Sequence, residues 1–334
     1  METTGQVTME DVARASGVSR STVSKALRND PSISAHRREK IKAVALKLKY
    51  RPNPLVAALM AQLHHTHPKT NSPTLAWVDL WTKTSSSKYG FDPGLLLPGA
   101  KKRAQELGYE MDVFRPMIEN ISPRRLLEIL RARSEWGVIF PPVPEAHMEF
   151  PLNMAGLSGV TIGTSLGKPT LNRVSHNHYH GSLLACQTLW TKGFRRIGLV
   201  VSPWGDERMD GKWRAAYIVR QQQWPVGARL PPLIADQDDR EEFLRWYQRY
   251  KPDAILVEEQ SRVATWLDAK GGLPARIVWL GLDPSKHNAW GVDYRWSELG
   301  QAAVELLIAQ MQRRELGTPA ISHTLTIDGI WVER

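Results

Sequence analysis

Arg20, Ser21, Ser24, Lys25 and Arg28 fall within one short stretch, all of them hydrogen-bond donors and none acidic. Guanidinium and ammonium groups beside hydroxyls suit acceptors that carry negative charge, such as the O6/N7 edge of guanine and the phosphates next to it. To act together they must stand on one rigid face. Val23, Ala26 and Leu27, interleaved among them, fit a short helix that buries its opposite side. The same pattern also fits a solvated helix in a small structural bundle, so the donors alone leave both readings open.

The flanking residues supply the frame. Thr8 followed by Asp11 has the form of an N-cap with an acid at N3, which starts a helix burying Val12 and Ala13. That helix stops at Ser16-Gly17, where glycine accepts a backbone angle other residues resist. Val18 plugs the turn and Ser19 caps the donor-bearing helix: helix, glycine turn, helix. Ser34 caps a third helix whose Ile41, Val44, Ala45 and Leu48 form one apolar stripe. Asn53 and Pro54 then open a further helix, Pro at its first position, carrying Leu55, Val56, Leu59 and Met60. So short and apolar a helix does not persist alone in water.

The run D-V-A-x-x-S-G-V-S-x-x-T-V-S from Asp11 to Ser24, with L-x-Y-x-P-N from Leu48 to Asn53, resembles the signature of the lactose-repressor (LacI/GalR) family of bacterial transcription regulators. The resemblance implies that Arg20, Ser21 and Lys25 read bases in the major groove of a double-stranded operator. Thr8, Ser19, Thr22 and Ser24 would position the backbone. Leu59 falls at the family's wedge leucine, which kinks the minor groove at the operator centre, with Asn53 and Ala57 beside it. An exposed leucine on an unstable helix gains by unstacking a base step, the bend being offset by added contacts. Two wedges meeting imply a homodimer and a pseudo-palindromic operator.

Charge agrees. The 334 residues carry a formal net charge of +10, yet residues 1–65 alone hold eleven Lys/Arg against five acids. The basic excess is concentrated in the segment that the motif nominates. One cysteine, Cys186, excludes an internal disulfide and reads as a small apolar residue on a helix. With neither a charged-then-apolar leader nor a run of ~18 apolar residues, the expectation is a cytoplasmic, nucleoid-associated protein without membrane contact.

Residues 62–72 lose apolar periodicity and read as a linker, whose His64, His65 and His67 suit a polar segment near phosphate better than a metal. The expected organisation is a head over 1–52, a hinge helix and linker over 53–72, and a core over 73–334. In the core, strands are expected over 74–80, 109–114, 136–140 and 159–162, with helices over 95–107 and 123–133 between them. The alternation restarts with helices over 183–191, 211–223 and 240–250 among strands over 196–201, 233–234, 254–257 and 276–280, and closes on a helix over 296–313. This predicts parallel sheets covered by helices, in two doubly wound lobes binding a ligand at the carboxyl ends of their strands. The N-lobe would take about 73–175 plus the return over 296–334, and the C-lobe about 176–295. The resemblance implies the same: a type I periplasmic-binding-protein core closing on an effector.

Here the family pattern thins. K-G-F-R-R-I-G at Lys192 to Gly198, Arg208 with Gly211, and Gly281 with Asp283 match it, as does the last helix from Glu298 to Leu307. The usual D-N-x-x-G reads Asn177 to Gly181, the second Asp of G-[FY]-D-D is Pro284, and N-P-[FY]-[FY] is replaced by the stretch from Trp81 to Tyr89. Arg208 and Asp283 are the effector candidates, as charges of opposite sign that can chelate sugar hydroxyls. Among thirteen tryptophans, Trp81 and Trp204 lie just past strand ends, where they can face a ring. His176, His178 and His180 alternate in an extended segment as zinc ligands could, but hydrogen bonding in the loop joining the lobes explains them more simply.

Three classes of function are consistent with the chain: an effector-controlled repressor, a DNA-binding protein whose core meets another protein or nothing, and an enzyme. Against the last, the sequence holds no Gly-rich phosphate loop, no G-x-S-x-G and no H-E-x-x-H, and it calls for no cofactor. With no heptad segment after Arg313, a dimer is expected rather than a larger assembly.

Overall fold

The computed structural model describes residues 7–27, 32–48, 50, 73–89, 93–236, 238–258, 261–268, 275–282 and 289–333. Arg28, the linker histidines, Asn53, Ala57, Leu59 and Asp283 lie outside the described residues. The chain divides into two compact units, one holding Met1–Ser72 and the other Pro73–Met311 and Leu316–Arg334.

In the first unit, helix α1 (Met9–Ser16) opens with a full capping box: the Asp11 amide donates to Thr8 Oγ1 and the Thr8 amide to Asp11 Oδ2. These hydrogen bonds from Thr8 hold the Asp11 carboxyl below its ordinary range. Gly17 ends α1 in the left-handed region at φ 65°. Helix α2 (Arg20–Leu27) starts at Ser19, whose Oγ accepts from the Thr22 amide. Helix α3 (Ala35–Lys47) closes the bundle over Val12, Ala13, Val23, Ala26, Ile41 and Ala45. One expectation fails: Ser34 stands at the N-cap of α3, but its side chain accepts no capping bond.

The second unit is built on two six-stranded sheets. In chain order the strands are β1 (Thr74–Val78), β2 (Glu110–Phe114), β3 (Gly137–Phe140), β4 (Met148–Glu149), β5 (Ser158–Ile162), β6 (Leu166–Lys168), β7 (Asn172–His176), β8 (Ile197–Val201), β9 (Leu233–Ile234), β10 (Ala254–Glu258), β11 (Arg276–Leu282), β12 (Trp290–Asp293), β13 (Thr324–Ile327) and β14 (Ile330–Val332). The first sheet runs β13-β7-β5-β3-β1-β2 with every pairing parallel. The second runs β14-β12-β11-β10-β8-β9, parallel except for β14 against β12. Strand period 2 explains the layers. In β1, Leu75 and Trp77 enter the core packed by Leu96, Leu299 and Leu307, while Ala76 and Val78 enter the one on the other face with Leu126 and Leu130.

The chain passes between the sheets after β7, after β12 and after β13. The last passage corrects the expected lobe boundary: β13 joins the first sheet, but β14 returns to the second. Among the described residues no helix is long and apolar enough to cross a membrane.

Helices Leu97–Glu106 and Trp296–Arg313 approach backbone to backbone. A Cβ on Gly99 would lie 2.1 Å from the Ser297 carbonyl oxygen, and one on Gly300 2.3 Å from that of Leu96. Gly99→Ala therefore forces the helices apart. The expected cost is about 1–3 kcal/mol in urea unfolding; a loss within error would show that the contact yields freely.

Candidate functional site

On the head, α2 presents Arg20, Ser21 and Lys25 to solvent, with Thr22 and Ser24 half-buried. The hydroxyls are committed: Ser19 Oγ lies 2.8 Å from both Ser21 Oγ and Thr22 Oγ1. Burial of Val23 and Ala26 on the opposite side fixes the roll of the helix, so Ser21 and Lys25, one turn apart, stand on its outer face with Arg20 exposed at its start.

In the core, the carboxyl ends of both sheets meet. Beyond β1 stands Trp81, 2% exposed, donating Nε1 to the Pro142 carbonyl at 2.6 Å. Beyond β8 the short helix Pro203–Arg208 carries Trp204 and Arg208, so Arg208 sits on a helix rather than directly after its strand. Ser202 caps that helix and gives its own amide to Glu258 Oε1 at the end of β10. Trp204 stacks on Tyr89, with ring centroids 4.3 Å apart and planes 7° from parallel, and donates Nε1 to the Pro144 carbonyl at 2.8 Å. The Arg208 guanidinium lies 4.4 Å from the Trp204 ring centroid and 5.7 Å from that of Trp81, and Nη2 donates to the Val143 carbonyl at 2.8 Å. Thr164 Oγ1 donates to the Arg208 carbonyl at 2.7 Å. Burial pulls the guanidinium down to about 10, against the opposing pull of Glu145 and Glu258.

Trp81, Trp204 and Arg208, nominated separately, thus come together, but on one another. They fill the cleft instead of lining an open one. What remains beside them is a cavity of about 30 Å³ against His178, Met209, Trp213, Leu280, Tyr294 and Trp296, room for one or two waters.

The expected hydrogen bonding of the histidines is also corrected. His176 and His178 pack ring to ring at 5.5 Å, with Tyr294 4.6 Å from His176 and Trp213 5.4 Å from His178. Among the described residues no side chain bonds the ring nitrogens of His176 or Nδ1 of His178, and only the Tyr294 backbone lies close enough to His176 to oppose its shift. Burial drives His176 down to about 3 and His178 well below the ordinary imidazole range, so both are neutral. His180 faces outward to Asp328, which also accepts from Asn177 Nδ2. Cys186 is buried among apolar residues, where desolvation pushes its thiol up to about 12.

Among the described residues, Tyr89, Glu145, Thr164, Trp213 and Tyr294 join the cleft without having been candidates from sequence. Tyr89 closes the segment that departs from the family pattern. Glu145, which accepts the Tyr89 hydroxyl at 2.8 Å, had no local signal.

Residues 8–53 match the family described as bacterial regulatory proteins, lacI family. The head is that family's helix-turn-helix domain. Over 142 residues, 42% of this chain, it is 31% identical to the HTH-type transcriptional regulator DegA of Bacillus subtilis (strain 168), and this match spans only 38% of DegA. The likeness of fold to solved structures extends over the whole chain. The fold is similar at TM-score 0.54 and 20% identity to the lac repressor dimer bound to operator and the anti-inducer ONPF, covering 99% of this chain and 98% of that one. It is similar at TM-score 0.55 and 20% identity to the transcriptional regulator CelR in complex with cellobiose, covering 98% and 99%.

Proposed function

We propose that this protein is a LacI-family transcriptional repressor that binds a pseudo-palindromic operator as a homodimer at the bacterial nucleoid, with affinity set by a small molecule held between its core lobes. The observation that carries the DNA-binding half is the outer face of α2, where Arg20, Ser21 and Lys25 are exposed on a helix whose roll its buried side fixes. A guanidinium or ammonium group there suits guanine edges in the major groove. The named neighbours support operator and sugar as the partner classes, since one is bound to operator and ONPF and another to cellobiose. The sugar reading rests on those neighbours and not on the residues of this cleft. Asp283 completes the effector set in this reading.

Ligand control needs only that the small molecule favour one arrangement of the lobes over another, with coupling typically of about 1–3 kcal/mol. A second reading, in which the core meets a protein or nothing, is favoured by a cleft already filled with its own side chains.

Operator selection followed by titration tests the first half. Lys25→Ala is expected to lose about 1–3 kcal/mol of discrimination at one base position. Leu59→Ala is expected to weaken operator binding far more than binding to random DNA, and equal losses would refute the wedge. A compound that both raises the melting temperature and shifts operator affinity supports small-molecule control; tight operator binding insensitive to every compound supports the second reading.

A further inference from the structure

The residues that plug the cleft describe what the cleft accepts. On the first-sheet side the polar groups turned toward Trp204 and Arg208 are carbonyl oxygens: Val143 accepts from the guanidinium and Pro144 from the indole. Glu145 is close enough to act on the Arg208 charge, and its Oε1 accepts the Tyr89 hydroxyl. The flat surfaces there are aromatic. Tyr89 offers a face, on which Trp204 is stacked, and Trp81 meets Trp204 at 83° with centroids 6.4 Å apart.

Apart from Lys88, whose ammonium lies 4.5 Å from the Tyr89 ring centroid and donates to its hydroxyl, the described residues of this wall offer acceptors and π-faces. A carboxylate would set oxygen against oxygen, and a sugar hydroxyl ring would find few donors to satisfy its own oxygens. A cation with N–H groups gains the carbonyls, the Glu145 charge and the aromatic faces together. Arg208 and Trp204 supply such a cation and such a ring from the chain itself.

We propose that the cleft is a site for a small cationic amine or guanidine carried on a flat ring, and that Arg208 and Trp204 occupy it when that ligand is absent. This rests on the reading of the cleft as an effector site and names the ligand's chemical class. Binding replaces contacts that the helix Pro203–Arg208 makes with Val143, Pro144 and Tyr89, and so releases one lobe from the other. The site is thereby tied to lobe movement.

The test is thermal shift on the full chain. Arg208→Ala vacates the cation position, and millimolar methylguanidinium is expected to raise its melting temperature by a few degrees beyond sodium chloride at equal ionic strength, with no such gain in the wild type. Trp204→Ala, a milder change at the rim, is expected to be stabilised in the same way by tryptamine. Adding Glu145→Gln, which keeps an acceptor for Tyr89, is expected to weaken either cation about tenfold or more.

The proposal is overturned if neither variant distinguishes its cation from sodium, or if Glu145→Gln changes nothing. Cellobiose or benzoate stabilising the wild type, with the gain lost in Trp81→Ala, would overturn the cation class while leaving the effector site standing. If no compound of any class binds wild type or variants, both readings fall.

Discussion

Below about pH 6.5 the folded protein is expected to lose stability with each added proton more steeply than a His176→Phe variant does. His176 and His178 are 6% and 4% exposed and packed among aromatic rings. In the unfolded chain an imidazole takes its proton near 6.5, whereas folded His176 resists until about 3. His178 is lowered too, by burial first and then by its coupling to His176, Lys212 and Arg208. Where the unfolded state binds more protons, stability falls as pH falls. The contribution is therefore fully present above 6.5 and declines between 6.5 and about 3 for His176. The slope approaches roughly 1.4 kcal/mol per pH unit for each imidazole.

Glu135 runs the other way. Its carboxyl is fully buried, and burial with the Asp112 charge raises it to about 7. A folded carboxyl that holds its proton more tightly than the unfolded one gains stability as pH falls from about 7 to 4.5. The total curve blends the two, so the measurement is the difference in urea unfolding free energy between wild type and His176→Phe across this range. A phenyl ring keeps the packing on Tyr294 and Trp296 without the titration. A difference independent of pH would show that His176 is hydrated.

Trp81→Ala is expected to cost about 3–5 kcal/mol in the same experiment. The side chain is 2% exposed and touches Tyr89 and Trp204 by its edge and the Arg208 guanidinium by its face. Its removal leaves a cavity and strips the Pro142 carbonyl of its donor. Trp81→Phe retains most of the ring and is expected to cost about 1–3 kcal/mol, mainly the lost hydrogen bond. A Trp81→Ala cost below that of Trp81→Phe would mean the cleft mouth is loosely packed.

The elements read correctly from sequence share a property. Thr8, Asp11 and Gly17 act within a few residues of themselves, and the apolar runs of β1, β8 and β10 carry their burial in their composition. The elements missed lack that internal evidence. β7 reads N-R-V-S-H and the helix Lys83–Tyr89 reads K-T-S-S-S-K-Y, with no apolar period in either. β7 forms because β5 and β13 pair with it from both sides, a hydrogen-bonding opportunity that exists only in the assembled sheet. Ser34 shows the limit even of local signals, since a cap residue in place need not turn its hydroxyl to the helix.

Sequence by itself determined the head: its helix-turn-helix frame, its helices and the exposure of Arg20 and Lys25, because caps, turns and helical period are local. It also nominated Trp81 and Trp204 through their positions after strands, and Arg208 through its match to the family pattern. Tertiary structure decided what those three do. The Trp204 and Arg208 contacts with Pro144 and Val143 span 60 and 65 residues of chain, and no spacing rule predicts that side chains of one lobe plug the mouth of the other. Tertiary structure likewise made His176 and His178 a buried pair, because desolvation depends on every neighbour at once, and the neighbours Tyr294 and Trp213 come from segments far apart in sequence.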